Sequence, residues 1–291
     1  MDHSRFAESN NQIFVYPIEW IPRHPKWSNY STVWQKLPLL TYVRNSAKLT
    51  NCVTLIQLFT CSFAAYVFAK CRFKGRDRLF ILYIATMAIP WQSYMVAQYV
   101  MMSKLHLVNS HLSYILLKCF SPFGVFLMRQ FYKDIPDELL EAARIDGLSE
   151  FGIYRRIMLP LSKPALATLT IFTVVNTWND YMGPYIYLTS NELKTLQIGI
   201  KSFVGQYSTE YGYIMAATLL SLIPITVVYI AFQRFFIEGI ATSAAASRDK
   251  PDKRNRIPVR NGLAPDYFEA RPFKHEAHLQ RAFSPKTGRS V

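Results

Sequence analysis

The sequence is poor in the residues from which soluble enzymes and disulfide scaffolds are built. Its four cysteines form no CxxC pair, and Cys52, Cys61 and Cys119 lie in apolar helical stretches with Cys71 at a basic boundary, which excludes a disulfide framework and leaves small packing roles. Among the six histidines only His275 and His278 are close at helical spacing, in a polar tail without further ligands nearby, so no metal site is expected. No HExxH or GxSxG motif occurs, and no pair of carboxylates falls within the apolar runs, which removes support for an intramembrane enzyme. No GxxxxGK[ST] phosphate loop is present, so the chain has no evident means of binding ATP, and no cofactor is expected. The N-terminus lacks the basic start and continuous apolar core of a signal peptide, and no internal repeat is found. Acidic residues are few, 19 against 33 Lys and Arg, giving a formal net charge of +14. A nucleic-acid partner would need that charge on one face of a soluble module. Here the basic residues flank apolar runs or lie in the tail, as the positive-inside rule produces, and no nucleic acid is expected as partner.

What the sequence does have is apolar length. Hydrophobic residues make up 51% and aromatics 15%, yet mean hydropathy is only +0.07, because polar ends mask an apolar centre between about Leu49 and Phe236. Residues 1–45 contain Pro17, Pro22, Pro25 and Pro38 with Trp20, Trp27, Tyr30 and Trp34, and read as an extended, turn-rich extracytoplasmic head whose aromatics suit a membrane interface. Residues 46–236 read as an all-α transmembrane bundle with five spans in a lipid bilayer. The first begins at Leu49, and about 22 residues at about 1.5 Å each cover roughly 33 Å, enough to cross the hydrocarbon core. The second runs from Leu79 to about Ser103 with a kink expected at Pro90, and the third from Leu112 past Pro122 to about Phe131. The fourth runs from Leu166 to Leu188 and the fifth from Tyr213 to Phe236 across Pro224, with a small helix expected around Leu196 to Val204 between them. Lys70, Arg72, Lys74, Arg76 and Arg78, opposed only by Asp77, place the first connecting loop in the cytoplasm. Residues 237–291 read as a basic tail, disordered or loosely held on the inner face. Five spans with that tail inside put a basic head outside, so an upstream span is expected, with simple N-out insertion as the competitor.

Between the third and fourth spans lies a polar, helix-prone island, Asp134 to Pro164. Pro136 suits the first turn of a helix, and Asp137 and Glu138 complement the positive end of its dipole. Leu139, Leu140 and Ala143 share one side. Gly147 supplies the left-handed residue that ends the helix near Asp146, and Ser149 can cap a second. In that second helix Phe151, Tyr154, Ile157 and Met158 form an apolar stripe, Arg155 and Arg156 point elsewhere, and Pro160 is expected to end it. Arg144, Arg155, Arg156 and Lys163 assign this helix-turn-helix to the cytoplasm.

The spacing within the island is specific: Glu141-Ala142-Ala143, three residues, Gly147, nine residues, Ile157, one residue, then Leu159-Pro160. It resembles the EAA loop of ATP-binding-cassette importer permeases. Seven such identities arise by chance at a given position roughly once in 10⁸. Asn45-Ser46, Phe73 to Arg76, Met87 to Pro90, Phe126 to Pro136, Lys163-Pro164-Ala165, Trp178-Asn179 and Gln233 to Gly239 look like further landmarks of the carbohydrate-importer, maltose-permease-like branch, over about residues 10 to 242. The resemblance implies that the loop docks into a pair of separate ATP-binding subunits, with Glu141, Ala142, Ala143, Asp146, Gly147, Ile157, Leu159 and Pro160 as the coupling residues. It also implies a second permease subunit, an extracytoplasmic solute-binding protein and a plasma-membrane location. Members of the branch usually carry a span before the head segment and end soon after the position of Gly239, and this chain departs from both habits.

A second polar cluster, Asn176, Trp178, Asn179 and Asp180 with Tyr181 beside them, interrupts the fourth span. Polar groups at membrane depth usually face a cavity or a partner helix. Two roles stand equally open for it: lining a sugar pathway, or helix packing and capping near the outer surface, where Asp180 can meet water without a protein partner. The function expected is that of a sugar or oligosaccharide permease subunit. A membrane assembly subunit that transports nothing and a permease for a non-sugar solute are the alternatives.

Overall fold

The computed structural model describes residues 26–205 and 209–248, with side chains to residue 233. Among these residues the fold is all helical apart from one isolated antiparallel bridge, Val204 to Thr209. The chain enters through α1 (Ser28–Lys36) and α2 (Leu39–Lys70). The latter part of the head is therefore helical, not extended, because Leu37 is the extended residue before Pro38 and Pro38 occupies an N-cap, where a missing amide hydrogen costs no helical bond. The earlier part, 1–25, lies outside the described residues.

The second expected span is two separate helices, α3 (Arg76–Ala85) and α4 (Met95–Lys104), in place of one kinked helix. Ile89 and Pro90 are both extended, with ψ of 113° and 134°, and short 3₁₀ turns lie on either side. Proline removes its own amide and pushes the preceding residue out of the α region, and here both effects act at once. The third span consists of α5 (His111–Lys118) and α6 (Pro122–Asp134), bent by 40°. Ser121 caps α6 by accepting from Gly124 N at 3.1 Å, with Pro122 at the first helical position.

The island forms α7 (Glu138–Ile145) and α8 (Glu150–Leu161), which turns by 79° into α9 (Lys163–Trp178). At 16 residues α9 is shorter than the expected fourth span, and the continuation to Leu188 is a turn followed by α10 (Met182–Tyr187). A short α11 (Leu196–Lys201) stands where a small helix was expected. The last helix, α12 (Tyr211–Arg248), runs through Pro224 and on past Phe236, so the first residues of the expected tail are helical; 249–291, with His275 and His278, lie outside the described residues. Among the described residues two helices are by themselves long and apolar enough to cross a membrane, Leu39–Lys70 and Tyr211–Gln233, and the bent pairs α5–α6 and α8–α9 bring the number to four if each is counted as one span.

The central element is α2, against which α5, α6, α9 and α11 pack. Near its N-terminal end Asn45 donates to the carbonyls of Glu192 and Lys194 at 2.7 and 3.0 Å, and Ser46 accepts from Leu196 N, tying down the loop before α11. In its middle Gln57 bridges the Lys118 carbonyl at 2.6 Å and the Thr173 hydroxyl at 3.0 Å. Below that α2 and α6 touch closely: a Cβ on Gly124 would meet Cys61 Sγ at 2.8 Å. These paired amides and hydroxyls join α2 to its neighbours and fix both register and packing.

Candidate functional site: a docked helical loop and an outer polar cluster

The island is held by both helices. Leu140 and Ala143 of α7, with Ile153, Tyr154 and Met158 of α8, enter one buried cluster with Ala65 and Tyr66 of α2 and Met128 and Tyr132 of α6. Leu139, expected on the same side as Leu140, is exposed: the buried stripe of α7 is narrow, and Leu139 lies about 100° from its neighbour around the helix. Phe151 is likewise half exposed, with Tyr154 fully buried below it.

The turn between the helices has a defined geometry. Gly147 has φ of +80°, and a Cβ there would meet nothing within 4 Å, so conformation and not space selects glycine. Leu148 N bonds the Ala143 carbonyl and Gly147 N the Arg144 carbonyl, both at 3.0 Å, the paired closure of a Schellman motif. Ser149 then caps α8, accepting from Gly152 N at 3.2 Å. Pro160 does not end α8. A π turn spans Tyr154–Met158, and the helix continues to Leu161 before the bend at buried Ser162. Widening the helix just before a proline relieves the clash of its ring with the carbonyl four residues earlier.

Three polar locks join the island to the inner end of α2. Ser62, Tyr66 and Lys70 are spaced four residues apart and so form one face. The hydroxyls of Ser62 and Tyr154 lie 2.7 Å apart, and Tyr66 donates to Glu150. Lys70, its side chain 5% exposed, donates to the Ile135 carbonyl and to Asp137, both at 2.6 Å. Arg144 adds a bond to Glu150 at 2.8 Å. The Arg144 guanidinium and then the Tyr66 hydroxyl hold the Glu150 carboxyl below its usual range, and the Lys70 bond does the same for Asp137. The four-residue stripe at the inner end of an apolar run was readable in the sequence and was missed. Beside it, Arg129 donates to Asp77 at 2.6 Å and lies 3.8 Å from the centre of the Phe80 ring, fixing α3 to α6.

What this leaves facing outward is a small, rigidly backed edge. Glu141, Ala142, Asp146 and Gly147 are exposed, and between them Ile145 is 87% exposed, a large apolar side chain with nothing over it. Ala143 faces the bundle, Ile157 and Leu159 are half-buried along α8, and Pro160 is exposed.

The outer cluster is differently arranged. Trp178 is 4% exposed and donates its indole N–H to the Ser221 carbonyl and hydroxyl at 3.1 and 3.0 Å, tying α9 to α12. Asp180 has partners after all: Lys118 at 3.0 Å, the Tyr114 hydroxyl at 2.9 Å and the Gly183 amide at 3.1 Å. Asn176 and Asn179 are exposed, and Tyr181 stacks on Tyr185 with ring centres 5.2 Å apart. Of the four candidate pathway residues, Trp178 is buried between α9 and α12, and Asn176 and Asn179 are exposed beyond it. Among the described residues no cluster of side chains could hold a metal ion.

A helical membrane domain with a docked helix-turn-helix loop defines a class of protein, and the comparison with known families agrees: the chain belongs to the binding-protein-dependent transport system inner membrane components, matched over residues 60–241. It is thus a multi-pass plasma-membrane permease subunit of an ATP-binding-cassette importer, and its island is the EAA loop of that family. Among its relatives is the arabinooligosaccharides transport system permease protein AraQ of Halalkalibacterium halodurans, 36% identical over 69% of this chain and 72% of the relative. The lactose transport system permease protein LacG of Rhizobium radiobacter is 34% identical over 68% and 73%. The sn-glycerol-3-phosphate transport system permease protein UgpE of Salmonella typhi is 32% identical over 79% and 85%. Among solved structures, a bacterial ABC transporter involved in import of the acidic polysaccharide alginate superposes with a TM-score of 0.67 at 25% identity, covering 78% of this chain and 85% of that one. The MetNI methionine transporter matches in fold alone, with a TM-score of 0.52 at 15% identity.

Proposed function

We propose that this chain forms part of the translocation pathway of an importer for a sugar or oligosaccharide. It pairs with a second permease subunit and two separate ATP-binding subunits, and an extracytoplasmic solute-binding protein delivers the substrate. The observation that carries the coupling role is the exposed edge of α7 on a backing that cannot yield: Glu141, Ala142, Ile145, Asp146 and Gly147 face out, while Leu140, Ala143, Tyr154 and Met158 are buried beneath them. A partner cleft that grips this edge moves α7 and α8 together, and the 79° junction at Ser162 carries that motion into α9. Ala142 permits close approach, Ile145 supplies an apolar anchor, and Glu141 offers a charge-assisted contact. The basic residues around the island support a cytoplasmic position for it. Read with α3–α4 and α9–α10 as interrupted crossings, the chain has five spans between residues 46 and 236, and Asn176, Asn179 and Tyr181 stand at the outer mouth of the pathway. The names of the arabinooligosaccharide and lactose permeases support the solute class.

Co-expression with the neighbouring transport genes and uptake measured on a panel of sugars tests the reading. ATP-dependent uptake of a sugar or oligosaccharide is expected. Uptake of an amino acid or an inorganic ion instead would overturn the solute class, and Glu141→Lys is expected to abolish uptake with the subunit still inserted.

A further inference from the structure

Between α2, α9 and α12 lies a groove of about 470 Å³. Leu55 and Leu58 form one wall, Leu166 and Val174 the second, and Val228 and Phe232 the third. At one end stands Lys163, exposed and with no acidic partner among the described residues. We infer that this groove is a binding site for an anionic phospholipid of the inner leaflet, with one acyl chain between the helices and the headgroup phosphate on Lys163. The inference rests on the orientation proposed above, which puts Lys163 at the cytoplasmic surface.

Length and polarity select this occupant. Lys163 and Val174 are eleven residues apart on α9, about 16 Å along a helix, close to half of the ~30 Å hydrocarbon core. The groove therefore reaches from the inner surface to the middle of the bilayer, the depth of one leaflet. A free aqueous solute would require hydrogen-bonding walls along that length, and the walls are aliphatic or aromatic. Thr54 and Asn51 at the deep end are its other polar lining besides Lys163 and Thr170, and the Thr170 hydroxyl is already bonded to the Leu166 carbonyl at 2.8 Å. A lysine with no acidic partner among the described residues, standing at the inner rim, matches the phosphate of an anionic lipid, and basic pockets between spanning helices on the cytoplasmic side bind such headgroups. The position has a consequence for coupling. Lys163 directly follows Ser162, the residue at the 79° junction of α8 and α9, so a lipid held there restrains the junction through which loop motion reaches the span.

The test uses the assembled importer with all its subunits, loaded with mixed phosphatidylglycerol and phosphatidylcholine, washed in mild detergent and analysed for retained lipid by native mass spectrometry. The wild-type complex is expected to retain phosphatidylglycerol selectively. Lys163→Gln should lower that selectivity about five-fold, the effect of one basic residue near a membrane surface, and Lys163→Arg should preserve it. Val174→Trp, which fills the groove, should remove the retained lipid altogether. Retention unaffected by both Lys163→Gln and Val174→Trp overturns the inference. So does cross-linking of Leu58→Cys to the second permease subunit, which assigns the groove to that chain, or protection of Leu58→Cys from a thiol reagent by the transported sugar, which assigns it to the solute. Lipid retention is read without transport, so an error in the solute class leaves this result untouched.

Discussion

Two of the polar interruptions in the apolar sequence, the loop around Gly147 and the cluster around Trp178, fold in opposite senses. In the loop around Gly147 Leu140, Ala143, Ile153, Tyr154 and Met158 turn inward, and the motif's Glu141, Ala142, Asp146 and Gly147 remain outside with Ile145, backed by a buried cluster and by the locks from Ser62, Tyr66 and Lys70. In the outer cluster the largest member, Trp178, turns inward, and Asp180 closes onto Lys118 and Tyr114. Both islands look alike in one dimension. What separates them is whether the protein itself supplies partners: a polar or aromatic group satisfied internally packs helices, and one left outside on a rigid backing is available to another molecule.

Trp178→Ala should have the largest effect on stability, a loss of about 3–5 kcal/mol as expected for truncating a buried tryptophan. It should appear as a marked drop in thermal stability of the detergent-solubilised subunit, whereas Asn176→Ala should stay within about 0.5 kcal/mol. Unchanged stability in the tryptophan variant, with altered sugar affinity, would dissolve the contrast and return Trp178 to the pathway. Next, Lys70→Met removes charge-assisted bonds to Ile135 and Asp137 and should cost about 1.5–3 kcal/mol, loosening the loop measurably in hydrogen exchange.

Smaller still is the Arg144–Glu150 pair, whose side chains are 39% and 50% exposed, so solvent screening holds its contribution below about 1 kcal/mol. Because the Glu150 pKa is depressed below its ordinary 4.5, the pair's contribution is complete above that value and is lost as pH falls through the folded-state pKa. Wild type should therefore melt above Glu150→Gln at pH 7, and the gap should narrow only below pH 4.5 and close as pH falls through the depressed folded-state pKa. Ile145→Ala should leave stability within about 0.5 kcal/mol and yet weaken co-purification of the ATP-binding subunits, the opposite signature to Trp178→Ala.

Much of the loop was legible because its signals are local. Gly147 needs a positive φ, Ser149 caps the next helix, and the motif spacing is contained in some twenty residues of chain. The spans were less legible. Apolar runs mark where a helix can lie in lipid but not where it stops, so the pattern missed the full break at Ile89-Pro90, the early start of α2 at Leu39 and the continuation of α12 beyond Phe236. Proline was read too simply: Pro224 lies within a helix, Pro160 follows a π turn that makes room for it, Pro122 opens α6 after a bend, and Pro90 divides its span. The partners of Asp180 and Trp178 were hidden because Lys118 and Ser221 are far from them in sequence, and long-range pairing leaves no periodic trace.

The central claim is that the edge at Gly147 transmits the work of ATP-binding subunits into the spans. It is tested most directly by Gly147→Pro in the complete importer reconstituted in proteoliposomes. Proline's φ near −65° is incompatible with the observed +80°, and its missing N–H removes the bond to the Arg144 carbonyl. The account predicts that uptake falls to background and that loaded binding protein no longer stimulates ATP hydrolysis, with the subunit present at normal levels in the membrane. Normal ATP-dependent uptake by that variant would contradict it.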